Sequence, residues 1–279
     1  MINIKVKDFS VSGEEFTLIE NTEFGYLETI PQPELENLSK YYKSEDYISH
    51  TNTKRNWFEK VYHKVRQITL NQKLNLVNSF KTESKSILDI GCGTGHFLEI
   101  CKNNNWEITG IEPNESARGI ANSLISNKVL DVNELKKLPK SSFDVITLWH
   151  VLEHLPNLQE QLKLINTLLK PNGLLVVAVP NYNSFDAKHY KSNWAALDVP
   201  RHLWHFNKNS IYKLSKSFGF RLKQIKPMWF DAFYVSLLSE QIKARNKNII
   251  KAFFIGFISN LSALFTKEAS SQIYILKKE

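Results

Sequence analysis

Residues 87–98, with the sequence ILDIGCGTGHFL, constrain the fold of this 279-residue chain more than any other segment. Residues 87–90 form an apolar run broken only by Asp89, as expected for a buried strand of a parallel sheet. Three glycines follow at alternate positions, and a helix-like pattern begins at His96. A strand, a glycine turn and a helix in this order form a ligand cradle, because backbone N–H groups can face a ligand where no Cβ obstructs them.

The glycine spacing and two carboxylates indicate which ligand this cradle binds. A dinucleotide site has the pattern G-x-G-x-x-G, but here the sixth position is His96 and the third glycine is Gly95. Asp89 precedes the loop by two residues, where a carboxylate repels a pyrophosphate and attracts an ammonium or a sulfonium group. Glu112 ends the next strand-like run, where a carboxylate can accept hydrogen bonds from both ribose hydroxyls. These features favour S-adenosylmethionine (SAM), which carries both cations and no phosphate.

With these residues the chain resembles the class I SAM-dependent methyltransferases, over roughly residues 85–226 and again near 271–277. DIGCGTG matches that family's glycine loop, GIEPN its ribose segment and LDVNEL its adenine segment, in which Asp131 would meet the adenine amino group. FDVITLWHVLEHLPN resembles the fourth-strand region of a bacterial subgroup related to the ubiquinone-type O-methyltransferases. The resemblance implies SAM as cofactor. The cofactor-binding residues that it implies are Asp89, Gly91, Cys92, Gly93, Gly95, Glu112, Pro113, Asp131, Val132, Trp149 and His150.

From residue 86 onward, strand-like and helix-like patterns alternate, which is typical of an α/β fold with a parallel, doubly wound sheet. Together with the resemblance, this predicts a Rossmann-like, mostly parallel seven-stranded sheet with an antiparallel last strand. The sequence KPNG at 170–173 predicts a helix stop followed by a turn. The strands are expected at 86–90, 106–111, 128–131, 143–149, 173–179, 220–226 and 272–276, and the helices near 54–80, 95–104, 115–125, 157–170 and 208–218.

The chain is expected to divide near residue 52. Residues 1–52 would form an N-terminal extension with a small β-meander and a short helix. Residues 53–279 would form the methyltransferase domain, with a helical insertion at 227–269 before the last strand.

His150, Glu153 and His154 follow the predicted fourth strand, and ligands of open α/β sheets bind at the carboxyl ends of strands near the topological switch point. The ubiquinone-type enzymes have Glu-x-x-Glu-His at the matching positions and use it for a divalent metal. His150 replaces the first Glu here, which weakens an oxygen-ligand site, so a divalent metal stays an open alternative but is not favoured. His154 and His202 are the candidate general bases, and His150 is a third catalytic candidate. The alternative is that these side chains line the cofactor pocket and cap the following helix.

The segment 181–206 is long and aromatic, and it leaves the predicted fifth strand beside the methyl-transfer site. Such loops are usually functional, so we expect a wall or lid for the acceptor, with Arg201 available for an acceptor anion. The alternative is a packed loop in which Arg201 and Asp198 form a structural pair.

Residues 249–265 form an apolar stretch of 17 residues between basic flanks. The stretch is short for a membrane span, and Lys251 and Asn260 interrupt it. As a helix it would cover the acceptor pocket, dimerise, lie on a membrane surface or pack against the rest of the protein.

Composition limits the other classes of function. The net charge is +8, but the lysines are scattered rather than gathered in one block, which does not favour a nucleic-acid partner. Cys92 and Cys101 are the only cysteines, so the sequence has no disulfide framework and no cysteine-based zinc site. The first residues lack the apolar core of a signal peptide. We therefore expect a cytoplasmic protein with possible peripheral membrane contact.

The sequence predicts a SAM-dependent methyltransferase that acts on a small-molecule or lipid-linked acceptor, with O-methylation favoured. Two alternatives stay open, a non-catalytic SAM-binding module and a dinucleotide-dependent oxidoreductase.

Overall fold

The computed structural model describes residues 3–42, 57–244 and 248–279. The strands are β1 (Asn3–Lys7), β2 (Glu15–Glu20), β3 (Leu27–Ile30), β4 (Ser86–Ile90), β5 (Glu107–Ile111), β6 (Val129–Leu130), β7 (Phe143–Trp149), β8 (Leu169–Pro180), β9 (Trp204–His205), β10 (Phe220–Pro227) and β11 (Ser271–Lys278). The α-helices are α1 (Leu35–Leu38), α2 (Trp57–Asn78), α3 (His96–Lys102), α4 (Glu115–Ile125), α5 (Leu158–Leu168), α6 (Phe185–Tyr190), α7 (Lys208–Ser217), α8 (Asp231–Ala244) and α9 (Ile249–Thr266).

Seven strands form the central sheet in the order β10-β11-β8-β7-β4-β5-β6. The neighbours from β8 to β6 pair in parallel, whereas β11 is antiparallel to both β8 and β10. The predicted fold class is therefore confirmed. The sheet order reverses between β4 and β7, so the segments after these two strands flank one crevice at the carboxyl edge of the sheet.

The central strands are buried on both faces, which explains their continuous apolar sequences. Along β7, Val145 packs in a core with α2, α3 and α4, while the next residue, Ile146, packs in a core with α5 and α7. Side chains alternate across a strand, so two layers of helices enclose the sheet.

The turn predicted at 170–173 is wrong as a connection between a helix and a strand. Helix α5 ends at Leu168, and β8 begins at once with Leu169. Phe143 pairs with Leu169 and Val145 pairs with Leu174, so the KPNG residues form a bulge within the strand. Asn172 takes a positive φ of 63° there, which asparagine tolerates. Pairing with β7 on both sides of the bulge decides the outcome, and local turn propensity does not contain that information.

A second, four-stranded sheet has the order β1-β2-β3-β9. Its last strand comes from the segment after β8: Leu27 pairs with His205 and Glu28 with Trp204. The N-terminal strands are thus hydrogen-bonded to the segment that leaves the central sheet. The predicted division at residue 52 lies outside the described residues and stays a prediction.

Helices α8 and α9 pack against each other before β11, and small residues line their contact. A Cβ on Gly256 would lie 2.9 Å from Cα of Phe233, so the helices approach closely there. Among the described residues, α9 is the one helix long and apolar enough to cross a bilayer, and only 28% of it is buried. Its buried residues are Ala252, Ile255, Gly256, Ser259 and Ala263.

Candidate functional site

The loop between β4 and α3 carries three glycines with positive φ, 72° at Gly91, 57° at Gly93 and 81° at Gly95. A Cβ on Gly93 would meet no atom within 4 Å, so this residue faces open space at the carboxyl edge of the sheet. A Cβ on Gly91 would lie 2.5 Å from Cγ2 of Val151, and one on Gly95 would lie 2.9 Å from Cβ of Ala121. Only Gly93 therefore leaves room for a ligand, while Gly91 and Gly95 permit close packing.

Asp89 and Cys92 turn toward the protein interior. Asp89 is buried at the end of β4 and accepts a hydrogen bond of 2.6 Å from Thr147 Oγ1. Burial raises its pKa to about 7, against the opposing effects of Thr147 and Lys73. The Cys92 side chain points toward β5, since a Cβ on Gly110 would lie 2.8 Å from Cys92 Sγ. Burial also raises the pKa of this thiol, so Cys92 contributes its backbone and not a nucleophile.

Glu112 follows β5 and braces the glycine loop. Its Oε2 accepts a hydrogen bond of 2.8 Å from the N–H of Gly93, and Oε1 accepts one of 2.9 Å from the N–H of Asn114. Each carboxylate oxygen retains a further lone pair, so Glu112 can hold the loop and accept hydrogen bonds from a ligand together.

The next segment begins at Asp131, whose Oδ1 accepts a hydrogen bond of 3.0 Å from the N–H of Asn133. Its Oδ2 lies 3.2 Å from Nη1 of Arg118, and this guanidinium also donates to the carbonyl oxygen of the exposed Pro113. Val132 is 42% exposed despite its apolar side chain. The segment after β6 thus presents a charged edge and an apolar surface side by side.

Lys73 on α2 reaches the same crevice, although no sequence signal had marked it. Its Nζ lies 4.4 Å from the centroid of the Trp149 ring. Burial lowers its pKa, while the carboxylates of Asp89 and Asp231 act in the opposite direction. Trp149 packs edge-on against Phe97, and its Nε1 donates no hydrogen bond within the described residues. A lysine, two carboxylates and an aromatic face therefore meet at the end of β7.

His150 follows β7 with a positive φ of 57°. Its Nε2 lies 3.0 Å from Asp231 Oδ2, and its Nδ1 lies 3.4 Å from Glu153 Oε1. Burial lowers the pKa of His150, but these two carboxylates outweigh it and raise the pKa to about 10. A histidine held as a cation at neutral pH is unsuited to accept a proton.

His154 and His202 face each other, with ring centroids 4.5 Å apart and ring planes at 79°. Nδ1 of His154 lies 2.9 Å from the carbonyl oxygen of Arg201, and Nδ1 of His202 lies 2.9 Å from that of Ala196. A carbonyl can only accept, so we assign the proton to Nδ1 in both rings, which leaves a lone pair on each Nε2. Burial and the neighbouring His202 lower the pKa of His154 to about 4, so this ring is neutral at pH 7.

Glu153 completes this group, and its side chain is 1% exposed. Neither carboxylate oxygen accepts a hydrogen bond within the described part of the chain. Burial would raise its pKa, but the histidines around it, His150 first, hold the pKa below its ordinary value. One ligand atom from each of Glu153, His154 and His202 lies within 4.8 Å of the other two. These three residues are called the Glu–His cluster below.

The segment 181–206 is more ordered than the sequence suggests. Trp194 is buried and donates a hydrogen bond of 2.7 Å to Asp186 Oδ2. Arg201 is bound by two carboxylates, Asp198 through Oδ1 and Oδ2 and the buried Asp8 at 3.4 Å. The guanidinium is therefore not available for an acceptor anion, and the segment places His202 against His154, just after β7.

Sequence patterns missed Lys73, Asp231 and Asp8. Asp231 begins α8 and reaches His150, 81 residues earlier in the chain, at 3.0 Å. Asp8 accepts hydrogen bonds from the N–H groups of Ser10 and Ser12 and pairs with Arg201 across the two sheets. These contacts depend on tertiary packing, so local spacing contains no signal for them.

Residues 59–225 match the family model described as "Methyltransferase domain", which covers more than half of the chain. The ubiquinone biosynthesis O-methyltransferase of Coxiella burnetii is 32% identical over 107 residues, covering 36% of this chain and 46% of that protein. The enzyme of the same name from Bradyrhizobium diazoefficiens is 30% identical over 131 residues, which cover 44% of this chain and 51% of that protein. The chain thus spans about half the length of the curated relatives that it matches.

Among solved structures, a SAM-dependent methyltransferase from Archaeoglobus fulgidus has a TM-score of 0.52 and 24% sequence identity. The structural match covers 80% of this chain and 100% of the Archaeoglobus protein. This similarity extends to the fold.

Proposed function

Since this chain belongs to the methyltransferase domain family, and the structural neighbour from Archaeoglobus fulgidus is named as SAM-dependent, we propose that it transfers the SAM methyl group to a hydroxyl of a small-molecule acceptor. One observation carries the proposal. The open face of Gly93, braced by Glu112, lies at the same edge of the sheet as the exit of β7, where the Glu–His cluster begins. A cofactor cradle thus adjoins a group of proton-accepting side chains.

In this proposal the cofactor lies along residues 89–132. Glu112 accepts hydrogen bonds from the ribose, and Asp131 and the exposed Val132 hold the adenine. Asp89 attracts the positive charges of SAM, and Lys73 pairs with the carboxylate of SAM. The family match removes the support for a dinucleotide-dependent oxidoreductase.

The chemistry requires alignment first, because the acceptor oxygen must attack the methyl group in line with the sulfur. A hydroxyl must also lose its proton. His154 and His202 each present an Nε2 lone pair, so either can accept that proton. His150, bound between Asp231 and Glu153, keeps its proton and supplies a fixed positive charge at the exit of β7.

We also propose that the acceptor is lipid-linked and reaches the enzyme at a membrane surface. Helix α8 begins at Asp231, which contacts His150 at the site, and α9 packs on α8. The outward residues of α9 are large and apolar, up to 81% exposure for Phe265. The exposed set, called the apolar face below, comprises Ile250, Phe253, Phe254, Phe257, Ile258, Leu261, Leu264 and Phe265.

Charge favours an anionic lipid surface as the partner of this face. Residues 228–267 carry five basic side chains and two acidic ones. Both acidic side chains have partners, Asp231 with His150 and Glu240 with Lys251. The five basic and two acidic residues give this segment a net charge of +3, and an apolar face beside net positive charge is typical of segments that lie in the headgroup region of a membrane. The proposed location is therefore cytoplasmic with peripheral attachment.

Flotation with liposomes tests the membrane proposal. The protein should float with vesicles that contain phosphatidylglycerol more than with neutral phosphatidylcholine vesicles. Changing Phe253, Phe254 and Phe257 to Ser should abolish flotation. Ile120→Ser and Tyr212→Ser, at exposed apolar positions on α4 and α7, should not. Equal binding to both vesicle types, or a stable dimer that buries these residues, would contradict the proposal.

Methyl-labelled SAM tests the activity itself. Purified protein incubated with labelled SAM and a lipid extract should transfer label to an organic-soluble product. A small-molecule aqueous extract should yield less. Tight binding of S-adenosylhomocysteine (SAH) without transfer to any extract would support the alternative of a non-catalytic SAM-binding module.

A further inference from the structure

We infer that Glu153, His154 and His202 form a binding site for a divalent transition-metal ion. The inference rests on the proposed function for its catalytic consequence and on geometry for the site itself. The resemblance places a metal on positions 150, 153 and 154. The geometry replaces His150 by His202, which comes from a different segment of the chain.

The first argument is the carboxylate of Glu153. A buried carboxylate without hydrogen bonds is costly, and native proteins rarely leave one in that state. The cation next to this carboxylate is His150, whose Nδ1 lies 3.4 Å from Oε1 of Glu153. The other oxygen, Oε2, has no hydrogen-bond partner within the described residues. A metal ion bound to this oxygen would supply the partner that the described residues do not provide.

The second argument is the orientation of the two imidazoles. Metal-binding histidines usually donate one ring N–H to a backbone carbonyl or a carboxylate, which fixes the tautomer and directs the other nitrogen at the metal. His154 and His202 both have this arrangement at Nδ1, through the carbonyls of Arg201 and Ala196, and Nε2 of His202 lies 4.0 Å from Asp198 Oδ2.

The third argument is the rigidity of the scaffold. The N–H of Leu203 donates a hydrogen bond of 2.8 Å to the backbone carbonyl of Glu153, which ties the two ligand segments together. Thr29 donates its hydroxyl hydrogen bond of 2.7 Å to the carbonyl of His202. The three ligand positions are thus held before any ion arrives.

The donor set determines the class of metal. Two imidazole nitrogens and one carboxylate with an open position are typical of catalytic zinc and of non-haem iron(II), whereas Mg²⁺ prefers oxygen ligands. The ligand atoms are within 4.8 Å of one another. A contraction of at most about 1.5 Å would give a tetrahedral zinc site with bonds of about 2.0–2.1 Å.

His150 is not part of the site. Its Nε2 lies 3.0 Å from Asp231 Oδ2 and its Nδ1 lies 3.4 Å from Glu153 Oε1, so both ring nitrogens already have a carboxylate partner. When bound, the ion would supply Lewis acidity for loss of the proton from a hydroxyl acceptor. Ligation and proton acceptance use the same two Nε2 lone pairs, so metal content distinguishes the two roles.

Calorimetry with Zn²⁺ on tag-free protein, freed of metal by a chelator, tests the site. The protein should bind one equivalent of Zn²⁺, and His154→Ala or His202→Ala should weaken binding at least a hundredfold. Mg²⁺ should not compete at millimolar concentration. His150→Gln is the matched control, and it should keep the stoichiometry because His150 lies outside the ligand set.

Co²⁺ supplies a test that requires no variant. The wild-type protein should give visible ligand-field bands with Co²⁺, and one equivalent of Zn²⁺ should remove them. The inference would be overturned if the protein bound no Zn²⁺ or preferred Mg²⁺. It would also be overturned if His150→Gln lost Zn²⁺ binding while His202→Ala retained it. SAH affinity and methyl transfer are measured on the same samples. Methyl transfer without Zn²⁺ binding would reject the site alone, and Zn²⁺ binding without methyl transfer would reject the proposed function alone.

Discussion

The two halves of the crevice are built in different ways. The proposed cofactor half, residues 89–132, is one continuous segment in which backbone groups and glycines define the space, with Lys73 added from α2. The proposed acceptor half joins three separate segments, residues 150–154, residues 198–205 and helix α8 at Asp231, through side chains. A backbone cradle suits a ligand shared by a whole family, whereas a site of side chains from distant segments can change without altering the fold. The halves should therefore respond separately to mutation.

The largest expected effect lies in the acceptor half. Whichever of His154→Ala and His202→Ala removes the true base should lower kcat by roughly 10²–10⁴-fold, because that variant loses the Nε2 lone pair that accepts the acceptor proton. SAH affinity should stay within a few fold. Steady-state kinetics with labelled SAM measure kcat, and calorimetry with SAH measures the affinity of the same variants. Near-wild-type turnover in both variants would leave alignment as the whole mechanism.

The next effect lies in the glycine loop. Gly93→Leu should weaken SAH binding by more than about a hundredfold, since the new side chain would enter the open space that the ligand requires. Gly13→Leu is the matched control, because Gly13 also has a positive φ, 72°, and its Cβ would meet only Lys7 Cε at 3.6 Å. Both variants share the backbone strain, so an equal loss of SAH affinity would show that strain, and not ligand space, is responsible.

Glu112→Ala should weaken SAH binding by about 1.5–3 kcal/mol, the usual contribution of hydrogen bonds to a charged group. Asp131→Ala should weaken SAH binding less, because the Asp131 carboxylate already accepts a hydrogen bond from Asn133 and pairs with Arg118. Calorimetry compares the two. If neither variant changed the affinity, the ribose and adenine would not lie along β5 and β6.

The smallest effect is a pH dependence. Burial raises the pKa of Asp89 to about 7, and the ionised form attracts SAM. Below pH 7 the free protein carries the proton, which must leave when SAM binds, so SAM affinity should fall about tenfold per pH unit below 7. Above pH 7 it should be constant. Titrations from pH 6 to 8 measure this, and Asp89→Asn should remove the dependence. A wild-type affinity that rises on acidification would contradict the role of Asp89.

The same contrast explains which features the sequence could predict. Strands β4 and β7 and helix α4 begin and end at the predicted residues, because the two strands are short apolar runs and the helix is amphipathic with Asn114 as its N-cap. The glycine loop and Glu112 are predicted from local spacing, and Asp131 is predicted from the resemblance to the class I methyltransferases. The pairing of His202 with His154 depends on β9 and β3, and the pairing of His150 with Asp231 depends on α8. Such contacts join residues about 50 to 80 positions apart, and periodicity carries no information at that range.

Helix α9 shows a different limit. Its sequence gives an apolar face correctly, but the residues that pack inward are mainly small, and the phenylalanines point outward. Hydrophobic periodicity alone would bury the larger side chains. The close approach of α9 to α8 at Gly256 requires the opposite arrangement.

SAH affinity measured side by side in Glu112→Ala and His154→Ala tests the separation of the two halves most directly. Calorimetry at pH 7.5 should show a loss of roughly 10–150-fold for Glu112→Ala, equivalent to about 1.5–3 kcal/mol. It should show a change of only a few fold for His154→Ala. Equal losses in the two variants would mean that the crevice is a single site, and tight binding of NAD in place of SAH would contradict the cofactor assignment itself.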